Sequence, residues 1–473
     1  MSHVQTAGII LAAGKGTRMK SDLPKCAFEV CGIPMAELVG RAMREGGVER
    51  VVVVIGHRGE VLRGLLGHDY EFAEQTEQLG TGHATMMAAP ALEGFEGNVV
   101  ISAGDTPLVT GDVFRRLIAR HEETQAGVTV LAVHVPDPHG YGRIILDDQG
   151  DVARVVEHRD ATEEERAVDL ISTLHYCVDA KLLFEVLPEL RNENDQNEYY
   201  LPDIVPAILA RGRRAALFIA PHWSELQGVN DRWQLAQTAK ELRMRILKRH
   251  AMAGVTIVDP DSTYIGADVQ IDPDVVIQPM SMIVGRTRIG QGSEIGPGVR
   301  IDNSLIGQDC RILMSQLERA ELGDDVRVGP FANLRPATVC QKGVRVGNFV
   351  ELKNAQLAPG VKASHLSYLG DATVGADTNI GAGTIFCNYD GFAKHRTTIG
   401  NNAFVGSNTT LVAPIRVGDG AVIAAGSVVT KNVPDDALGI TRATQENKEE
   451  WAQRWRARKR GQAMEHEPTG RTE

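Results

Sequence analysis

From about residue 252 to residue 442 the chain keeps a six-residue beat, and few folds can carry one. An aliphatic residue followed by glycine recurs at Ile289, Ile295, Leu322, Val328, Val346, Val374, Ile380, Ile399, Val405 and Val417, with most intervals equal to six or a multiple of six. Nothing comparable occurs before residue 250. Hexapeptide periodicity reads as a parallel β-helix, in which each aliphatic residue points into a narrow prism and the small residue after it turns the corner. Three hexapeptides make a coil, and with strands ~4.8 Å apart the roughly ten coils implied stack to about 48 Å. The flat faces of such a prism call for neighbours, so an oligomer is expected.

Residues 1–230 follow a different grammar. "RVVVVIGH" (50–57) and "NVVISAGD" (98–105) read as buried parallel strands, while "MAELVGRAMREGG" (35–47) and "VFRRLIARHEE" (113–123) carry apolar residues at helical spacing. This is βαβ grammar and predicts an α/β, doubly wound, Rossmann-like domain with ligands at the carboxyl ends of its strands. "LAAGKGTRM" (11–19) sits at one such end and "AGD" (103–105) at another. In the first loop, glycines let backbone N–H groups approach an anion that Lys15 and Arg18 neutralise. The loop is not a Walker A motif, because Ile9 stands where the first glycine is needed, and Met19 denies it the third glycine of a dinucleotide fingerprint. A single helical pattern links the halves, so the expected division is 1–230, a linker helix at 231–251, the β-helix at 252–442, and a charged tail at 443–473. That tail should begin as a helix and be disordered over its last dozen residues.

The length of 473 residues also calls for more than one domain. A net charge of -11 argues against a nucleic-acid binder. No apolar run reaches the ~18 residues of a membrane span, and "MSHVQTAG" lacks a signal-peptide core, so a cytoplasmic protein with no membrane insertion is expected. The six cysteines are scattered without a CxxC pair, which points to reduced thiols rather than disulfides or zinc.

Taken together, several stretches resemble the family of bacterial bifunctional N-acetylglucosamine-1-phosphate uridylyltransferases and glucosamine-1-phosphate N-acetyltransferases. "LAAGKGTRMKSDLPK" resembles its pyrophosphorylase signature, "EQTEQLGTGHA" (74–84) its base-binding segment, and "GYGRI" (140–144) and "VEHRDA" (156–161) its sugar-binding strands. "GPFANLRP", "GNFVELKNA", "SHLSYLGDA", "NIGAGTIFCNYDG" and "FVGSNTTLVAP" resemble its acetyltransferase domain. The resemblance spans roughly residues 5–445 and implies that the β-helix is left-handed and the assembly a homotrimer.

Position by position, the resemblance implies that Leu11, Ala12, Ala13 and Gly14, with Lys25, Gln75, Gly80, Thr81, Ala103 and Gly104, hold UTP. Gly142, Glu157 and Ser172 would face the sugar, and Asp105 and Asn230 would hold Mg²⁺. In the second site Arg335, Lys353, Tyr368 and Asn379 would grip glucosamine 1-phosphate, with His365 as the base. Asn388 and Tyr389 would lie beside the acetyl donor, and Ala382, Ser407, Ala425 and Arg442 would line the acetyl-CoA channel. Two positions depart from the family pattern: an aromatic residue usually stands at Ala103, and an asparagine at Ser172.

These residue types suit the two chemistries implied. Nucleotidyl transfer from UTP to N-acetylglucosamine 1-phosphate brings two polyanions together, so it needs alignment, Mg²⁺ and cations more than acid-base groups. Arg18, Lys25, Asp105 and Asn230 match that need. Acyl transfer to an amine needs a base, and His365 beside Tyr368 and the "NYD" loop meets it. Two other readings stay open. One is a monofunctional sugar-phosphate nucleotidyltransferase whose β-helix is only a platform, against which the "SHLSYLGD" and "CNYDG" loops count; the other is a non-catalytic regulator of the same architecture, against which Lys25, Asp105 and Asn230 count.

Overall fold

The computed structural model describes residues 4–464. The chain divides into two compact units, Met1–Pro273 with Ile277–Thr287, and Asp274–Val276 with Arg288–Glu473.

The first unit is built on a twisted sheet. Its strands lie in the order Ala215–Ile219, Val128–His134, Leu170–Asp179, Asn98–Ala103, Thr6–Ala12, Arg50–Ile55 and Glu71–Glu74. The central strands Thr6–Ala12, Asn98–Ala103 and Arg50–Ile55 are mostly aliphatic because both of their faces are buried. Ile9, Val52, Val54, Val99 and Ile101 feed one hydrophobic cluster, while Ile10, Val51, Val53 and Val100 feed the other. Helices Thr81–Ala88, Ala180–Val186 and Ile204–Leu209 cover the first face, and Met35–Glu45 with Gly111–Thr124 cover the second. The doubly wound arrangement follows.

One strand breaks the parallel order. Leu170–Asp179 runs antiparallel to both neighbours, pairing Tyr176 with Ile101 and Ser172 with Ala132. Its beginning, rather than its end, therefore reaches the carboxyl edge of the sheet. A hairpin of Arg143–Leu146 and Val152–Val156 joins it there through Ile171 and Arg143. The helix Arg232–Met252 starts at Asp231, whose carboxylate accepts from the Trp233 and Gln234 N–H groups at 2.9 and 2.8 Å. Within the same unit Tyr264–Ile265 pairs with Met282–Val284, so the coils begin before Arg288.

The second unit is a left-handed parallel β-helix of hexapeptide repeats. Three buried columns fill its prism, one from each face. Ile289, Ile306, Leu322, Cys340 and Leu357 form the first; Ile295, Ile312, Val328, Val346 and Ala363 the second; Ile301, Leu317, Leu334, Leu352 and Leu369 the third. Many corners need left-handed backbone, and Asn and Asp supply it at Asn303, Asp309, Asp325, Asp377 and Asn408. The register explains the lapses in the six-residue beat. Gln356 pairs with Thr373, 17 positions on, but Thr373 pairs with Thr398, 25 positions on. The extra residues form a loop at 388–396 closed by a bridge between Tyr389 and Lys394. After the coils, Trp451–Met464 is helical. The expectation of disorder for the last dozen residues falls mostly after position 464, outside the described residues.

Candidate active sites

Two adjoining cavities at the carboxyl edge of the sheet in the first unit share part of their lining. One, about 380 Å³, is lined by Leu11, Ala13, Gly14, Lys25, Gln75, Gly80, Thr81, Ala103 and Asp105 among others. The other, about 700 Å³, is lined by Arg18, Ala103, Asp105, Gly142, Glu157, Ser172 and Asn230 among others. The structure thus gathers most of the residues implied for UTP and the sugar. Ala12 packs into the core beneath the sheet, and the Gly104 N–H donates to the Leu11 carbonyl at 2.9 Å, so both stand behind the lining.

The loop after Gly14 is pinned by Met19, fully buried against Phe28, Val30, Met35 and Val229. That anchor aims Arg18 outward, where its guanidinium donates to Asn230 Oδ1 at 2.8 Å. Lys25 Nζ donates to the same oxygen at 2.9 Å and forms a close ion pair with Asp105. Asn230 is positioned through its own N–H, which donates to Gln234 Oε1 at 2.7 Å. One carboxylate and one amide oxygen therefore converge on a single cationic centre. Hard oxygen donors of this kind also fit Mg²⁺, which takes few protein ligands and completes its shell with water and phosphate.

Around the smaller cavity, Gln75 donates to the Gly80 carbonyl at 3.0 Å and lies 3.0 Å from His83 Nδ1. Gly80 is required: its φ is +102°, and a Cβ there would stand 2.6 Å from the Tyr199 carbonyl oxygen. In the larger cavity, burial raises the pKa of Glu157, and the carboxylates of Asp160, Asp203 and Glu198 raise it further. Ser172 Oγ lies 3.2 Å from the Tyr176 hydroxyl.

In the second unit His365 is exposed, and its Nδ1 lies 2.8 Å from Asn348 Oδ1. Donation from Nδ1 to that amide oxygen leaves Nε2 with its lone pair. Ala382, Ser407 and Ala425 stack on successive coils, with Asn408 N–H donating to the Ala382 carbonyl at 2.7 Å and Gly426 N–H to the Ser407 carbonyl at 2.8 Å. Arg442 continues the column beside Gly426. Arg335 donates to Glu351 at 2.9 Å, and the buried Asn388 donates to Asp371 at 2.5 Å. Gly370 leaves room for this cluster, since a Cβ there would stand 2.4 Å from the Tyr368 hydroxyl and 2.6 Å from Asn388 Nδ2. Asn379 begins its own strand on the sheet that carries His365, paired with Lys362 and Phe404.

A model of a MobA-like NTP transferase domain matches residues 8–198, and one of the hexapeptide repeat of succinyl-transferase matches residues 396–431. Among curated relatives, the bifunctional protein GlmU of Carboxydothermus hydrogenoformans is 48% identical over 444 residues, covering 94% of this chain and 99% of that protein. GlmU of Pelobacter propionicus is 49% identical over 448 residues, covering 94% and 97%. The chain belongs to the GlmU family. It is a bifunctional transferase, with a nucleotidyltransferase half and a hexapeptide-repeat half.

For this GlmU-family chain several site residues escaped the sequence reading. His83 supports Gln75, Asn348 orients His365, and Asp371 holds Asn388. Lys394 lies so close to Lys353 that it, and then Arg335, lowers the pKa of the Lys353 amine. Asp371 acts on Lys353 in the opposite sense, and Arg335 is itself paired with Glu351. The signal was in the sequence: Lys394 falls in the loop that breaks the hexapeptide beat.

Proposed function

We propose that the two sites carry out successive steps of one synthesis, acetyl transfer in the β-helix and then uridylyl transfer in the sheet domain. The chain is a bifunctional enzyme of UDP-N-acetylglucosamine synthesis, a glucosamine-1-phosphate acetyltransferase and a UDP-N-acetylglucosamine pyrophosphorylase, and so serves cell-wall and peptidoglycan synthesis. The domains divide at 230, 251 and 442.

In the first step the amine of glucosamine 1-phosphate attacks the thioester carbonyl of acetyl-CoA. A C–N bond forms, the C–S bond breaks, and free coenzyme A leaves while His365 Nε2 takes the amine proton. Asn348 fixes the imidazole by its contact at 2.8 Å. Arg335, Lys353 and Lys394 receive the phosphate, with Tyr368 and Asn379 on the sugar. Asn388 and Tyr389 face the acetyl group, and the column Ala382, Ser407, Ala425 and Arg442 takes the coenzyme. The exposed corners Met314, Phe331, Phe349 and Leu366 support assembly as a homotrimer, since such apolar ridges favour burial against another copy.

In the second step a phosphate oxygen of N-acetylglucosamine 1-phosphate attacks the α-phosphorus of UTP, and pyrophosphate leaves. Leu11, Ala13, Gly14, Gln75, Gly80 and Thr81 hold the nucleotide, and Gly142, Glu157 and Ser172 the sugar. Arg18 and Lys25 neutralise charge as it develops. Mg²⁺, held by Asp105 and Asn230, supplies Lewis-acid charge neutralisation at the phosphates when bound. The observation that carries this reading is the convergence of Lys25, Asp105 and Asn230 where the two cavities meet. A cytoplasmic location is supported by six free thiols and by the sugar-phosphate substrates. Purified chain given glucosamine 1-phosphate, acetyl-CoA, UTP and Mg²⁺ should release thiol and pyrophosphate and accumulate UDP-N-acetylglucosamine. Release of neither, or of only one, overturns the pairing of activities.

A further inference from the structure

Three residues line both of the cavities described above: Ala103, Asp105 and Leu174. Asp105 is accounted for by charge. Leu174 packs in part against the hydrophobic cluster on one face of the sheet, yet its backbone is unusual, with φ at +57°, where a branched, bulky side chain is strained. It stands in an irregular stretch of Leu170–Asp179, where the pairing with Val128–His134 jumps from Ser172–Ala132 to Tyr176–Val130. Buried groups on either side hold that stretch. The Thr173 hydroxyl donates to the Leu131 carbonyl at 2.9 Å. His175, fully buried, places Nδ1 2.6 Å from the Thr173 carbonyl and Nε2 3.3 Å from Thr106 Oγ1, and Thr106 in turn donates to the Ala103 carbonyl at 3.0 Å. The framework that fixes Leu174 thus also fixes the Ala103–Asp105 segment.

We infer that Leu174 is a specificity-determining residue: with the small Ala103 opposite, its side chain sets the width of the junction between the nucleotide and sugar cavities, and so selects among sugar 1-phosphates. This rests on the reading of the two cavities as the uridylyl-transfer site. The test is Leu174→Gly, because glycine accepts the left-handed backbone without strain while removing the wall. The thermal midpoint should stay within a few degrees of the parent. The KM for N-acetylglucosamine 1-phosphate should rise about tenfold, and the preference in kcat/KM for it over glucose 1-phosphate should fall by a similar factor, as expected when a hydrophobic contact is lost. Adding Ala103→Leu to Leu174→Gly should restore most of the preference, since volume returns from the opposite side. Leu174→Asn, which also tolerates this backbone, should lose the preference as Leu174→Gly does.

An unchanged preference in Leu174→Gly, in a protein of normal thermal midpoint, overturns the inference. Loss of thermal midpoint in both variants, with kcat/KM for the two sugars falling in proportion, also overturns it and makes Leu174 a packing residue. Asp105→Asn in the same assay separates the two levels. If it retains full uridylyl transfer, the reading of the cavities is wrong; if it is inactive while Leu174→Gly keeps its preference, only the role of Leu174 falls.

Discussion

The two halves of the chain assemble their candidate sites by opposite means. In the sheet domain the partners come from far apart in sequence: Lys25 meets Asp105 across 80 positions and Asn230 across 205. In the β-helix they come from adjacent coils, as in His365 with Asn348, 17 positions apart, and Arg335 with Glu351, 16 apart. A site assembled from distant loops depends on a whole domain to hold it, whereas a site on stacked coils is repeated local geometry with one exceptional loop. The lesson is that the two chemistries should be separable by single substitutions.

The sharpest test of that separation is His365→Ala. Loss of a general base costs about 10²–10⁴ in rate, so thiol release from acetyl-CoA should fall by that factor while pyrophosphate release from UTP and N-acetylglucosamine 1-phosphate stays within about twofold. Residual acetyl transfer near the parent rate would remove His365 from the mechanism. Asp105→Asn should do the reverse, with uridylyl transfer falling about 10²-fold and acetyl transfer unchanged, because an amide cannot replace the carboxylate charge. A fall in both activities would show that the halves are not independent.

Smaller effects sharpen the picture of the sheet domain. Burial and neighbouring carboxylates raise the pKa of Glu157, so its carboxylate is lost at a higher pH than an ordinary glutamate's as the medium is acidified. If the ionised form accepts sugar hydroxyls, the KM for N-acetylglucosamine 1-phosphate should rise on acidification, and Glu157→Gln should flatten that profile. An identical profile in the variant would assign the titration elsewhere. Smallest is Ser172→Asn, which adds about one hydrogen bond toward the sugar, worth ~0.5–1.5 kcal/mol, and should lower the sugar-phosphate KM severalfold with the UTP constant unmoved. A change in the UTP constant or in stability would make Ser172 a packing partner of Tyr176, 3.2 Å away.

The halves were also unequally legible in the sequence. Hexapeptide repetition is a direct imprint of the prism, because each buried column demands an aliphatic residue at a fixed interval. The loop at 388–396 showed only as a lapse in that interval, and Lys394 within it carries no pattern of its own. In the sheet domain, composition identified the buried strands and the loops at their ends. It could not give the direction of Leu170–Asp179, since a strand buried on both faces reads alike either way. Nor could it show the irregularity at Leu174, which is held by tertiary contacts of Thr173 with Leu131 and of His175 with Thr106.

A stack of coils behaves as a one-dimensional solid, in which each layer is steadied by the layer on either side. Among the described residues, the final layer pairs with a strand on one side only. Leu438–Gly439 is the last strand, paired with Val422–Ile423, and Arg442 stands just past it. Arg442 therefore stands beside the rung with the fewest ladder neighbours among the described residues, and hydrogen exchange around it should run ahead of exchange around Ala382, deeper in the stack.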